Sequence, residues 1–368
     1  MRGTHRRLII VALALLSAIG VAACGGGGDN GGGGGGGGGG KKIALLLPET
    51  KTTRYEAKDR PLFTAKVKQL CPDCQILYSN ASQDAAKQQQ QAEAAITNGA
   101  NVLVLDAVDV KSVGSIVKHA NQKKIPVIAY DRLISNADID YYVSFDNVKQ
   151  GRMQAQSLLD GLGSGAKGDP IVMVNGAPTD PSAGDYKKGA HEVLDKSGVK
   201  IAKEYDTPDW SPDKAQRQME QSITALGKDG FDGVLSANDG MASGIIAAMK
   251  SAGIDPSKKP TTGGDSEAAA IQRILTGEQY STIYLAIKQQ AETSAQLAVN
   301  AAQGKPPPTG IVNAKVNNGT EDVPSVLLSP IAVTKDNIND TVIKDGFLTP
   351  DEICTGKYKS ACQEAGIG

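Results

Sequence analysis

The chain has 368 residues, 39 Lys and Arg against 40 Asp and Glu, and a formal net charge of −1. That balance supplies no basic face to neutralise phosphates, which argues against nucleic-acid binding. Apolar residues are 40% of the chain and charged residues 21%, proportions of a folded chain rather than a disordered one, and the length suggests about two domains.

Residues 1–23 read as an export signal. Arg2, Arg6 and Arg7 form a basic start, and the apolar run Leu8–Ala23 follows. The run is short for a membrane span of roughly 20 residues and suits a cleaved signal. It ends in Val21-Ala22-Ala23-Cys24. Small residues before a cysteine resemble a bacterial lipoprotein signal, so Cys24 is the expected lipidation site. The Arg6-Arg7 pair leaves the export route open between the general and the twin-arginine pathways. Residues 25–40 are glycine except for Asp29 and Asn30. Such a segment reads as a coil-like tether that lets a domain roam near the membrane to which lipid holds it. The folded part is expected to begin at about Lys41.

Four cysteines follow the tether. Export favours disulfides, and we expect two local bridges, Cys71–Cys74 and Cys354–Cys362. A thioredoxin-like role for C-P-D-C would need its first cysteine to open a helix after a strand. Here the motif follows a helical stretch and precedes a strand. His119 and His191 have no Cys or His at ligand spacing, so no metal site is expected, and no cofactor motif is present.

From Lys41 on, β-rich runs alternate with amphipathic stretches. The first strand series is Ile43–Leu47, Gln75–Tyr78, Val102–Leu105, Pro126–Tyr130 and Tyr141–Phe145. A second is Ile171–Val174, Ile201–Tyr205, Gly233–Ser236, Pro260–Gly264 and Ser281–Leu285. Helical stretches include 82–98, 111–123, 150–162 and 212–226, and a helix over 288–303 is expected to return to the first series. Near-continuous apolar strands alternating with helices imply parallel sheets covered on both faces. The fold class is therefore α/β with two Rossmann-like lobes. The first is expected over 41–147 and 288–328, the second over 148–287 and 329–350, with 351–368 as a tail.

Ligands of open parallel sheets bind beyond the carboxyl ends of the strands. Those ends carry Glu49, Asp106, Asp131-Arg132, Asp146-Asn147, Asn238-Asp239 and Asp265. Carboxylates accept from hydroxyls, Arg donates in a fixed fork and Asn does both, a set suited to a neutral polyhydroxylated ligand. Helix capping accounts equally well for an Asp or Asn after a strand. It explains Asp146 and Asp239 well and Asp131-Arg132 poorly, because the stretch after them does not look helical. The single Trp210 and Tyr55 are candidates to cover the C–H faces of a sugar ring, against a packing role for either.

These motifs resemble a family. Lys42-Ile43-Ala44, Arg54-Tyr55, Lys58-Asp59-Arg60 and the run from Ala129 to Asn147 are similar to periplasmic D-xylose-binding proteins and the related multiple-sugar-binding proteins. So are Ser236-Ala237-Asn238-Asp239, Gly263-Gly264-Asp265, Val323-Pro324-Ser325 and the stretch 341–347. The resemblance implies a type I periplasmic-binding fold with three crossing segments at a hinge. It implies that Arg54, Tyr55, Asp131, Arg132, Asp180, Ser182, Trp210, Asn238 and Asp265 bind sugar. Ser182 stands where the family has Asn, and Leu285 where it has Lys; both departures bear on which aldose is taken. Lys288 is not expected to replace that Lys.

The expected function is a solute-binding lipoprotein of an ABC importer. It would be monomeric, held outside the cell membrane by lipid, and would pass a monosaccharide to permease and ATPase subunits. A sugar receptor for a membrane-bound signalling partner is the alternative. An enzyme, such as a glycosidase with paired carboxylates, fits poorly, because the acids are interleaved with Asn and Arg. Mass spectrometry of the native membrane fraction should find a diacylglyceryl mass on Cys24; an unmodified N-terminus would reject the anchor.

Overall fold

The structure, a computed structural model, describes residues 40–368. The expected signal over 1–23, the expected lipidation site Cys24 and the glycine tether up to residue 39 lie outside the described residues.

The first sheet is built from β1 (Lys42–Leu47), β2 (Gln75–Asn80), β3 (Val102–Leu105), β4 (Val127–Tyr130) and β5 (Tyr141–Phe145). Helices α1 (Arg60–Leu70), α2 (Ala85–Thr97) and α3 (Gly114–Gln122) connect the first four strands. The second series holds α4 (Asn147–Leu162), β6 (Pro170–Asn175), α5 (Pro181–Ser197), β7 (Lys200–Asp206), α6 (Pro212–Leu226), β8 (Gly233–Ser236), α7 (Asp239–Ser251) and α8 (Ala268–Leu275). The chain then runs through β9 (Thr282–Tyr284), α9 (Ile287–Ala302), β10 (Ala314–Asn317), β11 (Asp322–Leu328) and β12 (Ile331–Val333), and ends with α10 (Pro350–Ile353) and α11 (Lys359–Glu364).

The first sheet has the order β2-β1-β3-β4-β5-β11-β10. Every neighbouring pair is parallel except β10 with β11. Alternate side chains of β1 and β3 enter opposite faces, as the two-residue period of a strand requires. Ile43, Leu45, Val102 and Val104 join Phe63 and Val67 of α1 and Leu297 of α9. Ala44, Leu46, Leu103 and Leu105 join Ile96 of α2 and Ile116 and Val117 of α3. Each fully buried side chain of this size contributes roughly 1.5–3 kcal/mol, so a slip by one residue, which exchanges the two faces, is strongly disfavoured.

The second sheet has the order β7-β6-β8, all parallel. Val172 and Val174 face Met219 of α6 and Met241 and Ile245 of α7, while Ile171 and Met173 face Leu158 of α4 and Leu194 of α5. The chain passes between the sheets at 145–147, 284–287 and 328–331, and Asp146 N donates to Leu328 O at 2.9 Å where two of these crossings meet.

Two expected strands differ from the structure. Pro260–Gly264 forms no strand; Thr261 makes one isolated parallel bridge to Val234. Pro260 lacks an N–H for a ladder, and Thr262 instead spends its hydroxyl on Ser236, accepting from its N and donating to its O at 3.0 Å each. The run 281–285 contributes β9, but β9 pairs antiparallel with β12 outside the second sheet. Helix α9 covers α1 and strands β1, β3, β4 and β5. The end of the chain is also packed, with Ile353, Cys362 and Ile367 in the core beside Phe63. Cys71 is bonded to Cys74 and Cys354 to Cys362. Cys71 caps the end of α1 and Cys74 precedes β2, a helix-to-strand placement.

Candidate functional site

In the first sheet the strand order reverses direction between β1 and β3, and a crevice opens there beyond the carboxyl ends. The loops after β1, β3 and β4 enter it. The second sheet has the same split between β6 and β8, and its loops enter from the opposite side. A small cavity of about 30 Å³ lies between them, lined by Thr52, Arg54, Tyr55, Asp131, Arg132, Gln150, Asp180, Tyr186, Trp210, Ala237, Asn238 and Asp265.

Arg54 anchors the first wall. Its Nε and Nη2 grip Asp59 at 3.1 and 2.9 Å, and Nη2 also donates to Asp131 Oδ1 at 3.2 Å and Gln290 Oε1 at 2.8 Å. Its Nη1 is left 4.0 Å from Asp265 Oδ1 on the other side. The guanidinium lies over the Tyr55 ring, 5.2 Å from its centre. Tyr55 donates its hydroxyl to Asp131 Oδ2 at 3.0 Å, and Gln290 donates to Asp131 Oδ1 at 3.0 Å. Burial pushes the Asp131 carboxyl up, but Arg54, Gln290, Arg132 and Tyr55 outweigh it and hold it below the usual carboxylate range. Asp131 is thus an ionised acceptor.

Arg132 joins the walls. Its Nη1 donates to Ala107 O at 2.9 Å, and its Nε lies 3.4 Å from Asp106 and 2.9 Å from Asp180 Oδ2. Asp180 caps α5 by accepting from Ser182 N at 2.9 Å and takes the indole N–H of Trp210 at 3.1 Å. Trp210 meets Tyr186 edge to face at 6.3 Å. Asn238 Oδ1 caps α7 through Met241 N at 2.9 Å. Burial raises Asp265 well above the carboxylate range, with Arg54 as the main opposing charge. Asp131, Trp210 and Asp265 all have left-handed backbone, with φ of 63°, 51° and 87°. Such conformations cost about 1–3 kcal/mol each and persist where the surroundings over-determine them.

The structure therefore brings together Arg54, Tyr55, Asp131, Arg132, Asp180, Trp210, Asn238 and Asp265, and it leaves out Ser182. That hydroxyl accepts from Asn147 Nδ2 at 3.1 Å and lines a neighbouring hollow with Asp146 and Asp185. Its reach is short and α5 turns it away from the main cavity. Leu285 is buried in the apolar core, and Lys288 pairs with Glu292 at 2.9 Å on an exposed face. Asp239 is no cap, since Asn238 holds that position. It accepts instead from Gln279, Thr282 and the Glu267 N–H, and burial pushes it up to about 7.

Sequence reasoning missed Asp59, Gln150, Tyr186 and Gln290. Gln150 and Gln154 stand four residues apart on α4, both buried. Two amides on the same helix face as Leu158 were the available signal.

Comparison with known proteins places the chain. A model of the periplasmic binding protein domain matches residues 43–306, and the chain belongs to that family of binding proteins. Among its relatives is the D-xylose-binding periplasmic protein of Escherichia coli, 36% identical over 84% of this chain and 92% of that protein. The multiple sugar-binding periplasmic receptor of Rhizobium radiobacter is 35% identical over 73% of this chain and 81% of its own length. An ABC transporter solute-binding protein from Clostridium phytofermentans, solved with bound β-D-glucose, superposes with a TM-score of 0.77 at 27% identity, covering 85% of this chain and all of that one.

Gly176 backs the indole. A Cβ there would meet the Trp210 ring at 2.0 Å. Gly176→Ala should therefore shift the emission of this single tryptophan to longer wavelength and cost about 1–3 kcal/mol of stability. An unchanged spectrum and denaturation midpoint would rule out the close seat.

Proposed function

We propose that the protein binds a monosaccharide in its pyranose form between the two lobes and presents the closed form to an ABC permease. The observation that carries this reading is the Arg132–Asp180 pair set beside the ionised Asp131 and a Trp210–Tyr186 wall around one cavity between the two sets of loops. Charge-assisted bonds to hydroxyls are roughly twice as strong as neutral ones, and an aromatic face covers the apolar side of a sugar ring. Relatives named for D-xylose make that pentose the first candidate, and Leu285 and Ser182 leave room for another aldose. Closure follows from contact with both halves, because a ligand touching both stabilises the closed state over the open one. The position outside the membrane, with lipid on Cys24 as anchor, and the monomeric state belong to the same proposal. The glycosidase reading fares worse, since Asp131 is tied to Arg54, Tyr55 and Gln290 and has no free proton to give.

A thermal-shift screen of pentoses and hexoses should raise the melting temperature for at least one aldose, as any ligand of the native state alone must. Asp131→Ala should weaken that sugar by at least ~1.5–3 kcal/mol, the range for bonds to charged groups. An unshifted melt with every common aldose, or equal affinity in the variant, would defeat the assignment.

A pH dependence follows from Asp265. Burial raises it, whereas ligand hydroxyls bond best to its ionised form. Binding then lowers its pKa, so a fraction of a proton is released and affinity rises with pH between the bound and free values. Calorimetry in two buffers of different ionisation heat should detect the release. Proton uptake, or affinity that falls as pH rises, would contradict it.

A further inference from the structure

Most polar groups around the cavity are already committed to one another. Asp131 holds Arg54, Tyr55 and Gln290, Asp180 holds Trp210 and Ser182 N, and Asn238 caps α7. Gln150 is different. It projects from the start of α4, is 1% exposed, and lines the cavity with Asn238 and Asp265. Its Oε1 is wholly buried and has no hydrogen-bond partner among the described residues. One turn along the helix, Gln154 Nε2 donates to Ala237 O at 2.9 Å and to Gly263 O at 3.0 Å. Those bonds pin α4 onto the loops that carry Asn238 and Asp265, so the Gln150 amide is held in place while unsatisfied.

A buried amide without partners is costly, and the cost disappears when a ligand group completes it. An amide offers an acceptor on one side and donors on the other. A hydroxyl can answer either, and a neutral amide gives no preference for a charged group. The completion depends wholly on the ligand, so this position separates sugars with a hydroxyl here from those without one more sharply than the committed groups can.

We propose that Gln150 is a specificity-determining residue that hydrogen-bonds one hydroxyl of the bound sugar from the α4 side. The proposal rests on the sugar-binding reading above. The test is calorimetry of the wild type and Gln150→Leu with D-xylose, D-glucose, D-galactose and the monodeoxy derivatives of each, with the melting temperature of each empty protein measured alongside. The wild type should bind one monodeoxy derivative roughly ten- to a hundredfold more weakly than its parent, the range for an unpaired buried group. Gln150→Leu should lose that ratio, binding the parent more weakly and the derivative about equally, while the empty variant melts no lower than the wild type. A purely structural role would lower the melt and leave the ratio intact, and that result overturns the proposal. Gln150→Met repeats the test if the leucine variant does not fold. A wild type that binds none of these sugars overturns the sugar reading and this proposal together. A wild type that binds, with the deoxy ratio unchanged in the variants, overturns this proposal alone.

Discussion

Charged side chains taken out of water cost several kcal/mol each unless they find counter-charges with good geometry. The cavity depends on meeting that constraint. Arg54 is buried against Asp59 and Asp131, and Arg132 against Asp106 and Asp180. No one loop supplies both members of the two pairs made by Arg132, so the ions are compensated only when three strand ends are in register. Removing one carboxylate strands a guanidinium, and the neighbouring contacts change with it. The Arg132–Asp180 pair also crosses from the first sheet's loops to the second's, so the electrostatics of binding and of lobe approach are one network.

Topology supplies the register. With β1 between β2 and β3, the loops after β1 and β3 diverge to opposite faces and leave a gap that side chains from β4 reach into. The second sheet repeats the arrangement around β6. Two sheets with matching gaps, joined by short crossings, set the carboxyl ends of their strands toward each other. The site is therefore a consequence of strand order, and Arg54, Asp131, Arg132, Asp180, Asn238 and Asp265 are free to be polar because none of them belongs to the apolar layers on the sheet faces, whereas Tyr55 and Trp210 serve both the site and those layers.

Much of this could be read from the chain. Strands such as Val102–Leu105 and Tyr141–Phe145 are short, wholly apolar or nearly so, and end at once in charged residues, which makes both the strand and its functional end visible. The strand-end rule found Asp131, Arg132 and Asn238 because loops after parallel strands have one direction to go, and it reached Asp265 although the run before it is not a strand. It failed for residues delivered by helices. Gln150 and Gln290 are polar, and a polar residue in a helix is ordinarily assigned to the solvent face; their burial depends on the packing of α4 and α9 across the sheets. Ser182 failed for a related reason. It sits two residues from Asp180, but the first turn of α5 rotates it to another side. Asp239 was obscured by Asn238, since either could cap a helix and only the geometry of Met241 N decides. Pro260–Gly264 has a strand's position in the order but not its hydrogen bonds.

The left-handed backbone at Asp131 and Asp265 bears on how this site can diverge among relatives. Aspartate and asparagine tolerate that conformation through short side chains that bond locally, whereas β-branched or bulky residues would strain it. Those two positions thereby favour short polar side chains, while Trp210, in the same conformation, carries that strain with a bulky one. Positions carried on helices, such as 150, 186 and 290, have ordinary backbone and accept nearly any side chain that fits. Changes of ligand preference within this architecture are expected to accumulate on the helices, while the loop acids persist as a fixed frame.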